Sequence, residues 1–138
     1  MNFTYTLDQL EEASNFVLKN AKSKIILFEG EMGSGKTTLI KKLVKQLGSQ
    51  DTVSSPTFSL VNEYETNDNN IIYHFDLYRV NEEEELYNFG IETYIYSDKY
   101  VFVEWPDLLK SMLQEEYTVL SFTTTNNSSR QIKLTNTK

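Results

Sequence analysis

Apolar and polar positions along the chain change period several times, and each change marks an element. "NFTYT" (2–6) alternates and predicts a short strand. Thr6 and Gln9 then have the spacing of a capping box. The helix it opens runs to about Ala21, with Leu7, Leu10, Phe16 and Val17 on one face. "KIILFEG" (24–30) is a near-continuous apolar run ending in glycine, the pattern of a strand buried on both faces. A second helix is expected from Lys36 to Leu47, stopped by Gly48.

The middle of the chain is richer in β signals. "FSLVNEYE" and "IIYHFDLYRV" flank the turn-prone "TNDNN" and predict a hairpin. "NEEEELYNF" predicts a short helix with Asn81 as N-cap and acids in its first turn. "YVFVEW" reads as another buried strand, after which Pro106 permits a helix start that "DLLKSML" continues. "YTVLSFTTT" and "RQIKLTN", joined around "NNSS", form a closing hairpin. Helices between buried strands, with hairpins added, predict an α/β sheet with a parallel centre and antiparallel additions.

A length of 138 residues suggests one domain spanning 1–138. The formal net charge is −7, and the two arginines are Arg79 and Arg130. Such a balance argues against gripping nucleic acid unaided, because phosphate contacts need Lys and Arg. With no cysteine, disulfides and thiolate chemistry are excluded. The opening "MNFTYTLDQLEE" has no basic, apolar leader pattern, and no run approaches the ~20 apolar residues of a membrane span. The expectation is a soluble, cytoplasmic protein with no membrane partner.

Gly30, Glu31, Met32, Gly33, Ser34, Gly35, Lys36 and Thr37 match G-x-x-x-x-G-K-[ST], between an apolar strand and a helix. Glycines let the backbone curl and aim N–H groups at phosphate oxygens, and the helix start adds its positive end. Lys36 suits the β- and γ-phosphates, and the Thr37 hydroxyl suits Mg²⁺. Phosphoryl chemistry also needs an acid near the metal and a group that positions water. Asp76 ends "IIYHF" and Glu104 ends "YVFV", both where the chain leaves the sheet on its carboxyl side. Spacing alone leaves their division of labour open. "SSPTFSL" is either a γ-phosphate sensor or a proline-bearing entry to a strand.

"GEMGSGKTTL", "SSPTFSLVNEY", "HFDLYRV" and "EWP", in that order, resemble the TsaE family, formerly YjeE. The resemblance runs from Phe3 to about Leu134, although nothing after Trp105 matches a motif residue by residue. It implies a single-domain P-loop NTPase-like fold with a mixed sheet flanked by helices, and ATP and Mg²⁺ as cofactors. It implies a slow, partner-dependent ATPase needed to form threonylcarbamoyladenosine next to the anticodon of ANN-decoding tRNAs. The implied partners are TsaB and TsaD, with tRNA reached only through that complex. Carried over, Glu31, Met32, Gly33, Ser34, Gly35, Lys36, Thr37 and Thr38 hold the nucleotide. Thr57 belongs to a switch-like segment, and Trp105 lies near the nucleotide. Lys36, Asp76 and Glu104 are the catalytic set, and Thr37 and Glu104 hold the metal.

Other readings compete. A small P-loop kinase usually adds a lid and several arginines, which this chain lacks. A nucleotide-dependent binding module would use Asp76 and Glu104 only to hold Mg²⁺. His74 shares the face of Asp76 by alternation, and a hydrogen-bonded structural histidine outweighs a proton carrier there. Trp105 either stacks on the base or fills the core. Arg79, on the face opposite Asp76, reads as half of a structural or partner-facing ion pair rather than an arginine finger.

Overall fold

The chain is described by a computed structural model, which covers residues 1–54, 60–126 and 128–137. One sheet of seven strands runs through it: β1 (Asn2–Thr6), β2 (Ile25–Glu29), β3 (Val61–Glu65), β4 (Ile71–Asp76), β5 (Tyr100–Glu104), β6 (Tyr117–Asn126) and β7 (Ser129–Thr137). Their order across the sheet is β1-β7-β6-β2-β5-β4-β3. β2 is parallel to both β5 and β6, and β4 is parallel to β5. The hairpins β3–β4 and β6–β7 and the edge pair β1–β7 are antiparallel. This is the expected single-domain mixed sheet with a parallel centre.

Helices cover both faces. α1 (Leu10–Asn20) and α2 (Lys36–Gln46) pack on the side of Ile26, Phe28, Ile72 and Phe102. α3 (Glu83–Phe89), α4 (Ile91–Ile95) and α5 (Asp107–Lys110) pack on the side of Leu27, Phe75, Val101 and Val103. Alternation along β2, β4 and β5 sends successive side chains into opposite cores. That is why these strands read as continuous apolar runs.

Three local expectations need correction. The capping box forms, with Thr6 N–H donating to Gln9 Oε1 at 3.0 Å, but it opens a 3₁₀ turn, Leu7–Gln9, ahead of α1. Three residues per turn break the 3.6 phase, so Leu7 is 62% exposed while Ala13, Ser14 and Val17 form the buried stripe. The N-cap of α3 is Glu82 rather than Asn81, whose N–H instead donates to Glu85 Oε2 at 2.9 Å. The helix after Pro106 stops at Lys110, within "DLLKSML". Gly90, left-handed at φ 84°, ends α3 and opens α4, a five-residue helix too short to show a period. Among the described residues no helix is long and apolar enough to cross a membrane.

Candidate functional site: a glycine-rich loop facing two strand-end acids

The loop from Gly30 to Thr37 links the end of β2 to the start of α2. Space demands two of its glycines. A Cβ on Gly30 would meet Ser34 Oγ at 2.7 Å and Phe122 Cβ at 2.9 Å. Gly35 has φ 101°, and a Cβ there would lie 3.3 Å from Arg130 Nε. Lys36 folds back over the loop. Its Nζ donates to Gly30 O at 2.6 Å and lies 3.5 Å from the centre of the Trp105 ring. Burial lowers the Lys36 pKa, while Glu104, Asp76 and Asp107 pull it the other way.

The two acids stand side by side. Glu104 ends β5 and pairs in register with Phe28 of β2 on one flank and Asp76 of β4 on the other. Both therefore reach the carboxyl edge of the parallel strands, next to the loop. Glu104 is buried, and its two oxygens have separate partners. Oε1 accepts from Thr37 Oγ1 at 2.9 Å, and Oε2 lies 2.7 Å from His74 Nε2. His74 Nδ1 is 2.9 Å from the Tyr64 hydroxyl, which donates to Ser54 O at 3.1 Å. Asp76 Oδ1 accepts from Tyr78 N–H at 3.0 Å. Burial pushes the Asp76 pKa up, assisted by the Glu104 charge and opposed by the Tyr78 bond, His74 and Lys36.

One cavity gathers most of the residues singled out in the sequence. Met32, Gly33, Gly35, Lys36, Thr37 and Thr38 line it from the loop, and Asp76, Glu104 and Trp105 from the acid side. Ser34 is buried beneath the loop, and its Oγ has no partner among the described residues. Glu31 is exposed and lines an adjoining cavity with Met32 and Trp105. Thr57 lies outside the described residues. Arg79 is exposed and forms no ion pair among the described residues, so the structural form of the expected pairing is not made there.

Three features had no motif to signal them. Arg130 and Leu7 line the same cavity, and Tyr5 lies behind Arg130 with its hydroxyl buried. His74 is the hydrogen-bonded histidine that alternation favours, but its contact with Glu104 exists only because β4 lies beside β5. Trp105 has φ 56°, an uncommon backbone state for a bulky residue.

The donor set fits a magnesium nucleotide. Ser34 Oγ, Tyr5 OH and Arg130 Nε are buried without partners among the described residues, and they surround a glycine-lined loop. Among the described residues no three acidic or histidine side chains form a metal cage. Thr37 and Glu104 supply two oxygens, a number that suits Mg²⁺, which keeps waters and takes phosphate oxygens.

A family profile described as "Threonylcarbamoyl adenosine biosynthesis protein TsaE" matches residues 4–132. The tRNA threonylcarbamoyladenosine biosynthesis protein TsaE of Haemophilus influenzae is 39% identical over 98 residues, covering 71% of this chain and 61% of that protein. Its counterparts in Rickettsia typhi and Bacillus subtilis are 34% and 33% identical over 114 and 112 residues. These matches cover 79% and 80% of this chain, and 78% and 68% of the relatives. The crystal structure of Bacillus subtilis YdiB shares the fold, with a TM-score of 0.72 at 22% identity over 99% of this chain and 84% of that one.

Proposed function

The chain belongs to the TsaE family, and from that premise we propose that it is an ATP-binding and slowly hydrolysing accessory protein of tRNA threonylcarbamoyladenosine formation. It acts in the cytoplasm on a TsaB–TsaD complex. The observation that carries this reading is the convergence of Lys36, Thr37, Asp76 and Glu104 on one cavity from a loop and two neighbouring strand ends.

Lys36 and the loop N–H groups would hold the phosphates, and Thr37 and Glu104 the magnesium ion. Bound Mg²⁺ supplies charge neutralisation and orientation of phosphate oxygens. The chain's own residues do the rest. His74 keeps the Glu104 carboxylate turned toward Thr37. Asp76, beside it in register, would orient a water. Among the described residues no arginine lines the acid side of the cavity, which supports slow intrinsic turnover.

A switch in the "SSPTF" segment is part of the proposal. Its first residue and the chain just after it support it: Ser54 O accepts from Tyr64, which joins His74 and Glu104, and Leu60 O accepts from Asp76 N–H at 3.3 Å. Both ends are thus tied to the acids that would sense the nucleotide. The available energy is the difference in partner affinity between nucleotide states. With a net charge of −7, tRNA contact falls to the partners.

The deciding experiment is ATP hydrolysis, read as free phosphate, with and without TsaB–TsaD. A rate that changes with the partners and is lost in Glu104→Ala is expected. Phosphate on a small acceptor would point to a kinase. No phosphate release in any arm, with ATP still bound, would point to a nucleotide-dependent binding module.

A further inference from the structure

Tyr64, His74 and Glu104 lie on one diagonal across three neighbouring strands. In the β3–β4 register His74 stands opposite Asn62, and Tyr64 is its diagonal neighbour, within reach of an aromatic side chain. In the β4–β5 register His74 stands opposite Phe102, and Glu104 is its diagonal neighbour on the other side. Tyr64 is 3% exposed, His74 0% and Glu104 3%, so the polar atoms of this row depend on one another rather than on solvent.

A hydroxyl adds little to packing at position 64 and costs free energy in a core unless it is bonded. Here it is bonded twice, to His74 Nδ1 at 2.9 Å and to Ser54 O at 3.1 Å. The Ser54 carbonyl has a second donor, because Asn62 Nδ2 reaches the same oxygen at 2.9 Å. His74 Nδ1 has the hydroxyl as its one partner among the described residues. What the hydroxyl alone supplies is therefore the contact to the ring. An imidazole rotated by half a turn about its Cβ–Cγ bond puts carbons where both nitrogens stand. With Tyr64 present, that rotation breaks two hydrogen bonds, one to the hydroxyl and one to Glu104. Without the hydroxyl it breaks one. The hydroxyl thus keeps Nε2 against Glu104 Oε2, and Oε1 is left facing Thr37 Oγ1.

Resting on the magnesium-nucleotide reading above, we propose that Tyr64 is a positioning residue for the metal: its hydroxyl fixes the His74 ring, and the ring fixes the Glu104 carboxylate. A carboxylate held by an oriented partner binds its ion more tightly than one free to turn. Tyr64 does not line the nucleotide cavity. Its effect therefore falls on what the metal adds to nucleotide affinity, and not on the nucleotide alone.

The test is calorimetric titration of the full chain with ATP at one pH, once in magnesium and once in EDTA. The ratio of the two affinities is the gain from the metal. Tyr64→Phe keeps the ring. It is expected to leave the affinity in EDTA unchanged and to cut the gain about tenfold, the low end for loss of an outer-shell partner. In a His74→Gln background, where the connecting ring is gone, Tyr64→Phe should change the gain no further. His74 is the single histidine, so its ring nitrogens give one set of NMR signals. Tyr64→Phe should move the Nε2 signal as well as that of Nδ1. A full gain in Tyr64→Phe, whether or not its melting temperature falls, overturns the assignment and leaves the hydroxyl a structural role. An equal loss in both backgrounds, or an Nε2 signal that stays in place, overturns the route through His74. A wild-type chain that binds ATP with no gain from magnesium overturns the metal reading and this assignment with it. A wild-type chain that binds no ATP overturns the nucleotide reading as a whole.

Discussion

His74 Nε2 lies 2.7 Å from Glu104 Oε2, with the histidine fully buried and the acid 3% exposed. The imidazole fills space in the sheet and partners the inner oxygen of the carboxylate. His74→Ala removes both at once. The expected loss of stability is about 2–4 kcal/mol, the sum of a cavity and an orphaned acceptor. Thermal unfolding should show a melting temperature lower by roughly 5–15 °C. His74→Gln, which keeps a donor, should lose less. A change within error for His74→Ala would mean that water replaces the ring.

Lys36 is held against its own preference for water, since burial lowers its pKa. Lys36→Met keeps a straight stem against Trp105 and removes the buried charge. The free protein should melt no lower than wild type. The stabilisation that wild type gains from MgATP should vanish. Paired melting curves with and without MgATP check both parts, and a retained shift would remove Lys36 from the phosphate site.

Trp105 is the one tryptophan of the chain, so its emission reports a single place. Its ring has the Lys36 ammonium 3.5 Å from its centre and Tyr78 at 5.0 Å. When Lys36 turns to a phosphate, the charge leaves the ring. MgATP should therefore change the intrinsic fluorescence, and Lys36→Met should show no such response. A wild-type spectrum indifferent to saturating MgATP, with binding confirmed separately, would rule out that movement.

Asp76 has its pKa raised by burial. The folded state then binds this proton more tightly than the unfolded state does. Stability contributed by the group is fully present at low pH and falls as pH rises through the carboxyl range, so ionised Asp76 is destabilising at neutrality. Asp76→Asn should raise the melting temperature at pH 7, and the gap should close as pH drops below about 4, near the carboxyl's ordinary value. Partner-dependent hydrolysis should be lost in the same variant. A gap that does not depend on pH would mean that the carboxyl is freely solvated.

What the sequence determined by itself is local. The loop from Gly30 to Thr37 was legible because its motif is a run of consecutive residues between one strand and one helix. Asp76 and Glu104 were legible because each closes a buried apolar run, and strand ends face the site in a parallel sheet. Tertiary structure alone decided the rest. His74 meets Glu104 across 30 residues because β4 and β5 are in register. Arg130 and Tyr5 reach the loop because β7 pairs with β1 at the far edge of the sheet. Leu7 faces the cavity rather than the core because one 3₁₀ turn shifts the phase of the helix that follows. Trp105 is turned over Lys36 by a positive φ that no residue type announces. Periodicity carries information about neighbours along the chain, and strand order, register and the shape of each turn depend on contacts between residues far apart in it.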